Sequence, residues 1–323
     1  MTTPSLRAFS PVDVDPAAGL LAARYRRDLA AEPALDGRLG DPAHCAGLLR
    51  GAWERGARGA VAEEDGELTG YLLAIPGDDA RGRHVWSGPE HCAGRDDRTL
   101  RRLYTELAGP WLAEGRLHHY AVSTGADLPL WLSLCFGYEQ VHALAGLPAA
   151  GALRQDDVRA AGPADVDALE PLFRLVADAH TGPPVFAFVD AAFYEDLRPG
   201  HLELLEDPDV AYWLSEGPDG VRGFCVMRPV PEEEASPLKP RGSVELLLAA
   251  TAPQARGRGV GRRLTEHALA DAADRGFRVC VTDWRAANPD SSVFWPARGF
   301  RPVAHRLHRV LDPRLLPRPD VSR

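Results

Sequence analysis

The sequence predicts an α/β (α+β) protein of two tandem domains, each a mixed, mostly antiparallel sheet flanked by helices. Three observations carry this. First, Arg7, Ala8, Pro11, Asp13, Val14 and Asp15 recur as Arg159, Ala160, Pro163, Asp165, Val166 and Asp167, all at an offset of 152. Later matches keep the order: Gly70-Tyr71 with Gly223-Phe224, Arg102-Leu103 with Arg263-Leu264, and Gly137-Tyr138 with Gly299-Phe300, as the offset drifts to 162. A tandem duplication reads as two copies of one supersecondary plan. Second, apolar residues at Val166, Leu169, Leu172, Phe173 and Val176 have helix spacing. Third, short β-rich runs flank Glu-Gly-Pro-Asp-Gly at 216–220, a hairpin signal.

The elements of the second copy follow in order. The spacing predicts a helix over Pro163–Ala179, strands over Val210–Leu214 and Val221–Val226, and a strand over Ser243–Thr251. It then predicts a helix over Gly259–Arg275, a strand over Arg278–Trp284, a helix over Ser291–Arg298 closed by Gly299, and a last strand over Val303–Leu311. The domains are expected at 1–150 and 156–315, joined through the Ala/Gly-rich segment at 147–157.

The 323 residues are 45% apolar and 26% charged, values that exclude a disordered or fibrous chain. No run approaches the ~18 apolar residues of a membrane helix, and the N-terminus has no secretory pattern, so a cytoplasmic address is expected with no membrane partner. The net charge is −9, with −4 in residues 1–155 and −5 in 156–323. Nucleic acid is therefore not expected as a partner, since phosphate binding needs clustered cations. Lys239 is the one lysine against 36 arginines, which reads as coding bias rather than chemistry. Cysteines 45, 92, 135, 225 and 280 form no CxxC pair and are expected as small buried apolar residues. His305/His308 and His118/His119 are spaced to face apart on strands, so no metal site is expected.

The strongest motif is Thr251-Ala-Pro-Gln-Ala-Arg-Gly-Arg-Gly-Val-Gly-Arg-Arg-Leu264. A strand runs into glycines at 257, 259 and 261, and the turn opens a helix. Glycine lets backbone approach a ligand closely, and free N–H groups at a helix start point at one anion site. Arg256, Arg258 and Arg262 add charge. A Walker loop is excluded by the missing lysine, and a dinucleotide fingerprint by the GxGxG spacing late in the copy.

Arg256, Gly259 and Gly261 match the Arg-x-x-Gly-x-Gly loop of the GCN5-related N-acetyltransferases. Asn288, Trp295 and Gly299-Phe300 follow at that superfamily's spacing. The chain thus resembles a tandem member, well over 158–312 and as a worn copy over 6–147. The resemblance implies acetyl-CoA as co-substrate, held along Ala249, Ala250 and Thr251 and by the amides of Gly257, Arg258, Gly259, Val260, Gly261 and Arg262, with Asn288 touching the pantetheine arm. It implies direct attack by the amine of a small molecule or peptide. The alternatives are a non-catalytic acyl-CoA-binding or partner-binding scaffold, or use of a longer acyl-CoA. A monomer or homodimer is expected.

An ammonium must lose its proton before attack. Glu245 is the first candidate base, read as alternating with Leu247 and Ala249 on the strand facing the thioester; Asp283 on the next strand is the second. Their plainer readings are a solvent-facing Glu and a strand-end charge. Trp295 stands where the superfamily places a tyrosine acid, and an indole N–H cannot protonate a thiolate usefully. His180, near the expected acceptor pocket, is read as a polar loop residue. Glu232–Glu234 is read as a solvated run in a Pro-rich insertion. In the first copy Asp96, Arg98 and Leu100 stand in place of the three glycines, Ala126 in place of Asn288 and His84 in place of Glu245. That copy is expected to lack a coenzyme A loop.

Overall fold

The structure is a computed structural model that describes residues 4–152 and 155–316. The chain divides into two compact units, residues 1–140 with 303–323, and residues 141–302.

The first unit holds β1 (Ser5–Ala8), α1 (Val14–Ala31), α2 (Pro42–Glu54), β2 (Arg58–Glu64), β3 (Glu67–Asp79), β4 (Gly82–Ser87), β5 (Cys92–Gly94), α3 (Asp97–Ala113), β6 (His118–Thr124), α4 (Leu128–Ser133) and the start of β7 (Gly137–Gly146). β1 to β4 pair antiparallel in sequence order, and β4 pairs parallel with β6. Asp41 starts α2 by accepting from the Ala43 amide, and Asp96 starts α3 by accepting from that of Thr99. Leu72, Leu100, Leu103, Tyr104, Trp131 and Phe136 centre the core on the α3 side.

The second unit holds β8 (Val158–Ala160), α5 (Val166–Phe173), α6 (Leu175–Thr181), α7 (Ala191–Glu195), α8 (Leu197–Glu206), β9 (Ala211–Gly217), β10 (Gly220–Pro229), β11 (Val244–Thr251), α9 (Val260–Asp274), β12 (Val279–Arg285) and α10 (Pro289–Phe294), and it begins β13 (Arg301–Val310). Its strand order is β7-β12-β11-β10-β9-β8. The expected helix over 163–179 is two helices meeting at Arg174, with Pro171, which lacks an N–H, in the last turn of the first. Sequence reading passed over α7 and α8. Asp190 caps α7 by accepting from the Phe193 amide, and α8 buries His201 and Leu205 one turn apart.

The compact units cut the chain elsewhere than the two sequence copies do. Val141, Ala143 and Ala145 of β7 join the second unit's core, and Leu147 N donates to the Arg278 carbonyl at 2.9 Å. Ala304–Val310 of β13 pair antiparallel with β6 in the first unit. The last strand of each copy therefore belongs mainly to the other copy's unit. Residues 153 and 154 of the expected linker lie outside the described residues.

Among the described residues no helix is long and apolar enough to cross a membrane. Cys45, Cys92, Cys225 and Cys280 are buried, but Cys135 is exposed, in a left-handed turn after α4, against expectation.

Candidate functional site

β11 and β12 pair in parallel only at Val244–Cys280 and Glu245–Val281, although both strands continue. Beyond that point Thr282 Oγ1 donates to the Leu246 carbonyl at 3.0 Å. The remainder of β11 keeps β10 on one side, out to Gly223–Thr251, with no ladder to β12 on the other. A strand edge of this kind offers N–H and C=O groups to an extended, amide-bearing ligand.

At the far end of that edge the chain enters the glycine turn. Gly257 and Gly259 have φ of 72° and 76°, where a Cβ is strained, so the residue type is dictated by the backbone. A Cβ on Gly261 would lie 3.1 Å from Thr251 Oγ1 and 3.5 Å from the Phe294 ring, so its lack of a side chain lets α9 approach the end of β11. α9 begins at Val260 with no side-chain cap, leaving its first amides for an external acceptor. Arg256 Nε donates to the Thr251 carbonyl at 3.4 Å, and Arg258 is exposed. Arg262 makes a loose, exposed contact with Glu266 at 3.4 Å. Arg263, not singled out from the sequence, is bound at 2.9–3.0 Å by Asp157 and also donates to the Arg258 carbonyl, bracing the turn from behind. A bare helix start, two left-handed glycines, an unladdered strand edge and three exposed, at most loosely bound arginines fit a pyrophosphate with an extended arm.

Ala249, Ala250 and Thr251 lie on that edge, half-buried. Asn288 Oδ1 caps α10 by accepting from the amides of Asp290 and Ser291 at 3.0 and 3.2 Å, so only its amide nitrogen is left to meet a ligand. Trp295 is buried, edge-on to Phe294 and Phe300 at centroid distances of 4.8 and 5.5 Å, and serves as core.

Glu245 does not alternate with Leu247 and Ala249 as the sequence suggested. Val226 pairs with Leu248 but Met227 with Leu246, so Leu247 is an extra residue in β11. One inserted residue reverses the period-2 pattern. Glu245 thus lies opposite Arg228, on the sheet face of Leu248 and Ala250. Its side chain is 11% exposed and holds Lys239 Nζ at 2.7 Å and Arg228 Nη2 at 3.4 Å. The plainer reading, a solvent-facing Glu, is not met.

Asp283 is exposed at the far end of β12. His180 lies in the last turn of α6, which packs on β11. Burial pushes its imidazole below the usual range and the Arg285 charge acts the same way, while Asp283 opposes them. Glu232–Glu234 is not simply solvated. Arg241 binds Glu232 within the insertion, and Arg228 of β10 binds Glu234 at 2.6 Å, tying the insertion to the strand beside Glu245.

The corresponding places in the first unit look different. β4 and β6 pair parallel from His84–His118 to Ser87–Ala121, and β4 then breaks before β5, which pairs with β3. Arg24 from α1 fills that break: Nη1 donates to the Cys92 carbonyl at 2.5 Å, Nη2 donates to the Pro89 carbonyl, and Asp127 lies 3.8 Å away. At the start of α3 the Asp96 carboxylate takes the Thr99 amide at 2.8 Å, where an external anion would bind. Hydrogen bonding to that amide lowers the Asp96 carboxyl below its usual range. His118 Nδ1 is 3.1 Å from His308 Nε2, a contact that spacing along single strands could not reveal. Among the described residues no group of three or more His, Cys, Asp and Glu is arranged to hold a metal ion.

Residues 171–300 match the profile of the Acetyltransferase (GNAT) family. The chain is similar in structure to a GCN5-related N-acetyltransferase from Sphaerobacter thermophilus, with TM-score 0.57 and 16% identity over 99% of this chain and 98% of that one. It is similar to the GCN5-related glucosamine N-acetyltransferase region of a fungal multi-domain GH3 β-N-acetylglucosaminidase, with TM-score 0.53 and 14% identity over 95% of this chain and 38% of that one. A tandem GNAT protein from the clavulanic acid biosynthesis pathway aligns with TM-score 0.46 and 12% identity over 96% and 99% of the two chains. No curated protein sequence matches.

Proposed function

We propose that this chain, whose residues 171–300 match the acetyltransferase (GNAT) family, is an acyltransferase of that kind, and that it transfers the acetyl group of acetyl-CoA to the amine of a small molecule or peptide, in the second unit alone. The observation that carries this is the divergence of β11 from β12 after Glu245, with the glycine turn at the other end of the same strand. Bound there, acetyl-CoA supplies an activated thioester. The amides at Gly257–Arg262 hold the pyrophosphate, and the β11 edge at Ala249–Thr251 aligns the arm. Asn288 contributes its amide nitrogen.

Glu245 is the group that takes the proton from the acceptor ammonium. It is buried at the narrow end of the opening and already holds an ammonium at 2.7 Å. Asp283, exposed on the neighbouring strand, is the second candidate. Trp295 faces the core, so the thiolate leaves toward water or a solvent proton. The first unit takes no coenzyme A: Arg24 and Asp96 occupy its strand break and its helix start.

Calorimetric titration of acetyl-CoA into wild type and Gly259→Asp tests this. One site in wild type, lost in the variant, is expected, followed by thiol release in an amine screen. Two sites would overturn the assignment of the first unit, and no binding would overturn the transferase reading.

A further inference from the structure

The chain's one lysine is placed where its amine can react. Ser236 and Lys239 exchange two backbone hydrogen bonds, at 3.0 and 3.1 Å, closing a four-residue turn that contains the buried Pro237 and is followed by the buried Pro240. The turn aims Lys239 at the start of β11, where Nζ lies 2.7 Å from Glu245 Oε1 and 2.8 Å from Oε2. Glu234 also pairs with Nζ, at 3.7 Å, and Arg228 shares both carboxylates. The Lys239 side chain is 31% exposed, so it is neither sealed in the core nor free in solvent. Elsewhere the chain uses arginine for its cations. Arginine could make this ion pair, but it cannot become a neutral nucleophile, and lysine can.

We propose that Lys239 is a self-acylation site, which takes the acyl group from the thioester bound along β11. The inference rests on the function proposed above. The ammonium stands beside the carboxylate proposed to deprotonate the acceptor, and so occupies the acceptor's place. One proton passes from Nζ to Glu245. The freed lone pair attacks the thioester carbonyl, the N–C bond forms and the C–S bond breaks. The second nitrogen proton ends on the departing thiolate, and Glu245 returns its proton to water. The products are an amide at Lys239 and coenzyme A. Acylation removes the charge on Nζ and leaves Glu245 to Arg228 alone, opening the carboxylate to an external amine.

The full chain is incubated with acetyl-CoA, and its intact mass and peptide map are read beside a calorimetric titration. The expected result is one acetyl group per chain at Lys239, absent from Lys239→Arg and from Gly259→Asp. If acetyl-CoA binds wild type and Lys239 stays unmodified, the inference fails while the proposed function stands. Equal acetylation of Lys239 in Gly259→Asp would mark solution chemistry and also overturn it. If acetyl-CoA does not bind at all, both fall together.

Discussion

Arg24 Nη1 donates to the carbonyl of Cys92 at 2.5 Å, and that bond spans the break between β4 and β5. The Arg24 side chain is 2% exposed and Asp127 stands 3.8 Å from its Nη1. Removing one partner of a buried ionic group is costly because the remaining groups are left uncompensated. Arg24→Met is expected to lower unfolding stability by about 3–5 kcal/mol, read as a shift in urea midpoint. A change below about 1 kcal/mol would mean that solvent reaches the break and satisfies these carbonyls.

Glu245→Gln keeps the size of the side chain and removes its basicity. Amine acetylation is expected to fall about 100- to 10,000-fold at neutral pH, with acetyl-CoA affinity little changed. Asp283→Asn should cost much less. The reverse ranking in steady-state rates would transfer the role to Asp283.

Gly261→Val adds branches where even a Cβ would lie 3.1 Å from Thr251 Oγ1. α9 must then move away from β11. Acetyl-CoA binding is expected to be lost while the far-ultraviolet circular dichroism stays that of wild type. Retained calorimetric binding would show that the turn tolerates the displacement.

Hydrogen bonding to Arg263 holds the Asp157 carboxyl below its usual range. A lowered carboxyl contributes stability above its unfolded value of about 4, and loses it as the pH falls through the folded value. Asp157→Asn is therefore expected to destabilise at pH 7 and to cost little near pH 2. Urea midpoints at the two pH values check this, and an equal loss at both would sink it.

Burial pushes the imidazoles of His119, His201 and His308 down to about 4. Each is neutral in the fold at pH values where the unfolded chain would already bind a proton. Stability is expected to fall as the pH drops from about 6.5 toward 4, before most carboxylates titrate. His201 stacks on Phe173 at 3.8 Å and meets the Tyr212 hydroxyl at 2.9 Å. His201→Gln should flatten its share of that slope in pH-dependent melts, and an unchanged slope would mean that His201 does not contribute.

The glycine turn was legible because backbone geometry dictates its residue types: Gly257 and Gly259 are left-handed and Gly261 is a close approach. α9 was legible within a residue or two from its helical period, and β11 and β12 as short apolar runs bounded by turn residues. Glu245 was identified as a candidate, but its face was misread. A bulge leaves no mark on the alternation when Leu246, Leu247 and Leu248 are all apolar. The ion pairs of Lys239 and Arg228 and the placement of Arg24 join residues distant in sequence, with no periodic signal. The scarcity of lysine was visible, but its meaning depended on what stood beside it.

The exchange of β7 and β13 between the two units has a consequence for how the gene can be divided. A polypeptide ending near residue 150 would carry the part of β7 from Val141 on, which belongs to the other unit, and lack the strand pairing with β6. The half beginning there would lack the β7 residues that line its core. Neither half, cut there, is expected to fold alone. The copy without a glycine turn is therefore retained with the copy that has one, because each contributes residues without which the other would not be a complete fold.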